Sequence, residues 1–153
     1  MAAGLSIAAE NIPAFTRAFA QYAGERLELA DLEPVLRIDA AASLDMITEE
    51  LLIDINRLAP FGQGNPRPLL VTEDCTVIGE PRAVGKAKKT LQFMVGRDGT
   101  TRKCVAFRQA RLLKKLGSCK TVSLAYRPIL NEFNGRRSAE LQVEDMHFNK
   151  PTK

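Results

Sequence analysis

The side chains able to do chemistry are few, and their spacing argues for binding rather than catalysis. His147 is the single histidine among 153 residues, and one imidazole by itself anchors neither a metal nor a Ser-His-Asp arrangement. It falls in HFNKPTK, which reads as a frayed tail. The three cysteines, Cys75, Cys104 and Cys119, are odd in number and widely spaced. They fit neither a disulfide framework nor close-paired zinc thiolates, so small core residues in a reducing, cytoplasmic setting are the expectation. Asp39, Asp45 and Asp54 can be imagined as a metal cluster, but Asp45 and Asp54 lie nine apart on one expected helix. Carboxylates so placed are more often solvated. The chain shows no P-loop, HExxH or paired CxxC. The expected catalytic set is empty, and so is the expected metal set.

Cations are the stronger signal. The net charge of +4 hides a balance of −6 over residues 1–66 and +10 over residues 67–153. The basic part asks for a polyanion. Arg82, Lys86, Lys88 and Lys89 fall in one expected loop, and Phe133, Asn134, Arg136 and Arg137 in another. Cations that track phosphates beside a ring that stacks on bases make up a single-strand binding surface. The bland alternative is a solvated face, with Phe133 packed under its own turn. Arg102 and Lys103 are neighbours on one strand and point to opposite faces. If Val105 and Phe107 are inward, Lys103 snorkels at the barrel end and Arg102 faces out as a binding candidate. Arg127 shares the outward parity of Ser123 and Ala125. Gln92 meets a base or water. Arg108, Arg111, Lys114 and Lys115 read as the solvated side of a helix. FGQGNP offers either a nest of backbone N–H groups for an anion or a turn that locks two domains.

The elements that must carry these residues fall into two halves. Residues 1–66 read as strand, helix, strand, helix: Leu5 to Ile7, then a helix through Ile12, Phe15, Phe19 and Tyr22, then VLRID at 35–39. The second helical stripe runs through Leu44, Ile47, Leu51, Leu52, Ile55 and Leu58. Two strands are few for a stable sheet, so this half reads as the tail of a larger α/β domain. Pro60, Pro66 and Pro68 with Gly62 and Gly64 end the helix and set the domain boundary at residue 66. Beyond it the apolar period changes to two. Strands are expected at 69–78, 90–96 and 101–107, then a short helix around Leu112, Leu113 and Leu116, then strands at 121–127 and 138–145. Three strands, a helix and two strands over residues 67–153 give the order of a five-stranded OB barrel, and the helix placement argues against an SH3-like one. The fold class is therefore α+β. No apolar run approaches the roughly 18 residues of a membrane span.

Three pieces, in order, resemble the RecJ family of single-strand-specific DNA exonucleases. AAGLSI with ENIPAFTRAF looks like the end of the family's glycine-and-histidine motif in the DHH-associated domain. LLIDINRLAPFGQGNPRP is similar to its inter-domain signature, and the OB-like half ends in NEFNGRRSAELQVEDM. The resemblance implies a parent 5′→3′ exonuclease of DNA repair and recombination, with a catalytic DHH domain around Mn2+ or Mg2+ that this sequence lacks. Ala2, Ala3 and Gly4 would be the remnant of the substrate-gripping motif, whose histidine is missing. The fragment would then hold single-stranded DNA without cleaving it and without a cofactor of its own. Its expected partners are the parent's DHH domain and, further, a single-strand-binding protein. The rival readings are an independent OB protein that binds single strands or docks a partner, and a spacer that braces the catalytic domain.

Overall fold

The computed structural model describes residues 4–28 and 32–149, in two compact units, Met1–Leu36 and Arg37–Lys153. Ala2 and Ala3 lie outside the described residues, and Gly4 is exposed. In the first unit, helix α1 (Ile12–Gly24) carries Pro13 in its first turn, where the missing N–H has no helical partner to lose. Phe15 and Phe19 stack at 5.6 Å on its apolar stripe. Leu5–Ile7, expected as a strand, is not one, because no described strand pairs with it.

The second unit begins well before residue 66, so the boundary expected there falls inside it. Strand β1 is only Ala40–Ala41 and pairs parallel with the barrel, whereas residues 35–39 are not a strand. The ladder is anchored by Asp39, whose N–H donates to the Leu69 carbonyl and whose carboxylate accepts the Leu69 N–H, both at 2.8 Å. That employs one member of the imagined metal cluster. A 3-10 turn at Leu44–Met46 follows, then helix α2 (Glu49–Arg57). Thr48 separates them as N-cap, its hydroxyl accepting the Leu51 N–H at 3.2 Å. Leu44, Ile47, Leu52 and Ile55 are buried, while Leu58 is exposed beyond the helix end. The segment thus packs into the core of the second unit.

The barrel strands are β2 (Leu70–Val84), β3 (Thr90–Arg97), β4 (Thr100–Ala106), β5 (Thr121–Phe133) and β6 (Arg136–Phe148). They are ordered β2-β3-β4-β6-β5, and β5 pairs back to β2, which closes the barrel. Helix α3 (Leu113–Ser118) lies between β4 and β5, and the order is that of an OB fold. Asp98–Gly99 and Asn134–Gly135 make the two tight turns with positive φ at both residues, the geometry that matches the strands' twist.

Leu91, Phe93, Val95, Cys104, Ala106, Val122, Leu124, Tyr126, Leu141 and Val143 fill the interior, joined by Leu44, Ile47 and Leu116. On β4 the inward residues are Cys104 and Ala106, not Val105 and Phe107, and Phe107 is 56% exposed. The reason is volume. Cys104 sits opposite Phe93, and Ala106 opposite Leu91, so small side chains take the places across from large ones. The tail is also more ordered than expected. β6 runs to Phe148, and Asn149 donates its N–H to the Thr121 carbonyl at 3.3 Å.

Candidate nucleic-acid interface

The outward face of β3 and β4 follows from register. Gln92 pairs with Val105, and Met94 with Lys103. Arg82 sits opposite Gln92 and Ile78 opposite Met94, so two rows cross three strands. Arg82 is therefore a strand residue, because β2 continues to Val84 and leaves only residues 85–89 as the loop. Lys86, Lys88 and Lys89 stand exposed in that loop. The other hairpin tip carries Phe133 and Arg136 directly opposite each other. Phe133 is 70% exposed, so it does not pack under its turn.

Pairing also fixes where the two tips lie. Leu91 at the first loop's end of β3 meets Ala106, while Arg97 meets Thr100. β6 runs parallel to β4 with Lys103 opposite Glu140, so its first residues lie at the Thr100 end. The basic loop and the Phe133 tip thus stand at opposite ends of β4, about 20 Å apart at strand spacing. Gln92, Met94, Lys103 and Val105 lie between them.

The cations differ in what holds them. Among the described residues, Arg82, Lys86, Lys88, Lys89 and Arg136 form no ion pair, whereas Arg137 meets Glu132 at 3.2 Å. Lys103 meets Glu140 at 3.0 Å, and that carboxylate is buried and also accepts from the Asn131 amide at 2.8 Å. Arg102 corrects the sequence reading. It shares the parity of Cys104 and Ala106, and its Nε and Nη2 donate to the Ile47 carbonyl at 3.0 and 2.8 Å. It is a strut between β4 and the Leu44–Met46 turn, not an outward arm. Lys103, expected inside, is the outward one.

Arg127 is not brought to this face. It lies on β5, two strands beyond β4, pairing with Glu144 at 3.1 Å and donating to the Arg67 carbonyl. There it borders a cavity of about 650 Å3 with Phe61, Arg67 and Gln142. The FGQGNP turn beside it closes on itself. Gly62 and Asn65 exchange backbone bonds at 2.9 and 3.2 Å, and the Asn65 amide donates to the carbonyls of Leu58 and Pro60. Both flanks of the turn lie in the second unit, so it joins α2 to β2 rather than two domains.

Burial pushes the Cys104 thiol well above its ordinary value and the Cys75 thiol up to about 11. The Tyr126 phenol, also buried, is pushed up to about 12. Its O–H lies 2.8 Å from the Thr72 hydroxyl, which donates to the Ala42 carbonyl at 2.6 Å, so Tyr126 is the donor to Thr72. His147 is exposed on β6 opposite Ser123.

A family model for the RecJ OB domain matches residues 38–145, most of the chain. The chain belongs to the RecJ OB domain family. The match begins at the second unit's edge and includes the β1–α2 segment that sequence patterning assigned elsewhere. Proteins named single-stranded-DNA-specific exonuclease RecJ are similar to it. The one from Haemophilus influenzae is 33% identical over 147 residues, and the one from Bacillus subtilis 28% identical over 145. These alignments cover 94% and 95% of this chain but 25% and 18% of those proteins. The chain therefore spans about a fifth to a quarter of the RecJ proteins it matches. The crystal structure of Thermus thermophilus RecJ with Mn2+ shares the fold, with a TM-score of 0.72 at 21% identity over 96% of this chain and 20% of that one. A second Thermus RecJ structure holds Mg2+. Among the described residues here, no group of three or more His, Cys, Asp or Glu side chains is placed to hold such an ion. No helix among them is long and apolar enough to cross a membrane.

Lys103, Met94 and Ile78 stand on the outward face, where sequence patterning does not place them. A signal was present for Met94, which alternates with Phe93 and Val95. For Lys103 and Phe107 it pointed the wrong way, because Val105 and Phe107 outweigh Cys104 and Ala106 in hydrophobicity.

Proposed function

We propose that this chain is the single-stranded-DNA-holding part of a RecJ-like 5′→3′ exonuclease of DNA repair and recombination, working in the cytoplasm. The observation that carries the reading is the pair of cationic hairpin tips at opposite ends of one outward sheet face, with five unpaired cations between and upon them. Arg82, Lys86, Lys88, Lys89 and Arg136 contact phosphates, with Lys103 between the tips and Arg137 at the rim. Phe133 stacks on a base. Arg102 and Arg127 leave the proposed contact set. Metal-activated hydrolysis belongs to the DHH domain of the longer protein, and this chain alone cleaves nothing. A single-strand-binding protein is a further proposed partner.

The test is a salt titration of the chain with a fluorescent oligo-dT of about 20 nucleotides, a matched duplex serving as control. Each neutralised phosphate contributes roughly −0.7 to the slope of log K against log salt, so the five unpaired cations give about −3.5, and Lys103 as a sixth contact brings it to about −4. Preference for duplex, or a flat salt response, contradicts the proposal. One observation favours bracing as a second role. Phe19 and Tyr22 on α1 are 61% and 57% exposed, an apolar stripe suited to contact with the rest of a longer protein.

A further inference from the structure

We propose that a groove beside a bulge in β2 receives one unstacked nucleobase, so that the barrel engages bases through an aliphatic and amide surface as well as phosphates through its tips. This rests on the single-strand reading above and specifies what its central face does.

The groove is built by a break in register. Ile78 lies opposite Met94 and Arg82 opposite Gln92, so Gly79, Glu80 and Pro81 together face Phe93 alone. Two extra residues bend the strand away and uncover the outward face of β3. Gly79 takes φ +67 there, a left-handed conformation that suits glycine. The resulting hollow is about 280 Å3, bordered by Ile78, Glu80, Arg82, Gln92, Met94 and Lys103. Ile78 is held across β3 because Gly96 is bare. A Cβ at Gly96 would come within 2.5 Å of the Ile78 side chain.

The chemistry of the walls selects the occupant. Ile78 and Met94 are 42% and 37% exposed, an apolar surface that a base can cover. The Met94 thioether is polarizable and suits the face of a flat ring. Gln92 offers both a donor and an acceptor to a base edge. Glu80 offers only acceptors and a negative charge, which repels a phosphate from the groove itself. Phosphates are left to Arg82 and Lys103 on either side. Lys103 is fixed for that task, since its ammonium is bound at 3.0 Å to Glu140, which Asn131 also holds. A ring flanked by two backbone contacts is the spacing a single strand presents.

The experiment compares oligo-dT of about 20 nucleotides with an abasic tetrahydrofuran oligomer of equal length and charge, by fluorescence anisotropy of the whole chain. The expected result is about fivefold or more weaker binding of the abasic strand with an unchanged salt slope. Met94→Ala and Gln92→Ala each lower oligo-dT affinity towards the abasic value and leave abasic affinity alone. Both sites are outward, and a urea midpoint for each variant confirms an intact barrel. Equal binding of the two strands by the unmodified chain overturns the base subsite while leaving phosphate tracking intact. Loss of base dependence in Phe133→Ala but not in Met94→Ala also overturns it, by moving the base to the tip. Failure to bind oligo-dT at low salt removes this proposal together with the reading beneath it.

Discussion

Replacing Arg102 separates a strut from a DNA contact. Its guanidinium donates twice to the carbonyl of Ile47, a residue that is fully buried. A hydrogen bond from a charged donor contributes roughly 1.5–3 kcal/mol, and a buried carbonyl left without its partner costs about 1–3 kcal/mol. The two bonds share one acceptor and are not independent, so Arg102→Ala is expected to cost about 2–4 kcal/mol. A domain of this size has a total stability of about 5–15 kcal/mol. With a urea dependence of about 2 kcal/mol per molar, the unfolding midpoint falls by about 1–2 M. Arg102→Lys keeps the charge but loses the fork, and recovers about half of that. Neither variant changes the salt slope of DNA binding under folding conditions. If Arg102 instead contacts a phosphate, Arg102→Ala leaves the urea midpoint in place and reduces the slope by about 0.7. That outcome would refute the strut.

Reversing three free cations together, Lys86→Glu, Lys88→Glu and Arg136→Glu, is expected to reduce the salt slope by about 2 and shift stability by no more than about 0.5 kcal/mol, read by anisotropy and urea unfolding. At pH 8 a thiol reagent should reach at most Cys119 in the native chain, with Cys75 and Cys104 reacting only on unfolding, because burial holds both thiols protonated. Rapid native labelling of either one contradicts the packing. Tyr126 ties stability to alkaline pH. Its phenol is pushed up to about 12, whereas in the unfolded chain it ionises near its ordinary value of 10. Stability from this group is therefore whole below pH 10 and is lost as pH rises towards 12, and Cys75 adds a loss of the same sign between 9 and about 11. Tyr126→Phe should flatten the upper part of that decline in urea unfolding series; an unchanged decline would show that the phenol is not buried as described.

The barrel was legible because its order of elements and its turns are local signals. Asp98–Gly99 and Asn134–Gly135 announce hairpins by the backbone they need, and Leu91, Phe93 and Val95 announce an inner face by alternation. What was not legible depends on pairing at long range. Asp39 and Ala42 bind the β1 segment to Leu69 and Thr72 through contacts 30 residues apart, and Thr72 in turn meets Tyr126, 54 residues further on. Nothing in a window around residue 40 reveals such partners, and the segment looked like the end of another domain. The bulge at Gly79–Pro81 was hidden for the opposite reason. Glycine and proline do mark a break, but they mark a loop equally well, and only the renewed pairing of Arg82 with Gln92 shows that the strand continues.

The site turns on one parity decision. Arg102 and Lys103 are adjacent and alike in charge, yet one holds a buried carbonyl and the other faces the proposed ligand. Hydrophobicity alone put Val105 and Phe107 inside. The interior has a fixed volume, however, and β3 already contributes Leu91 and Phe93, so β4 must answer with Ala106 and Cys104. Once the small residues go in, Arg102 goes with them, and Lys103, Val105 and Phe107 come out together. The apolar character of the proposed strand-binding face is thus linked to core packing. Phe93 and Leu91 occupy the interior across from β4, so Val105 is left on the outer side, on the face proposed to meet the bases of a single strand.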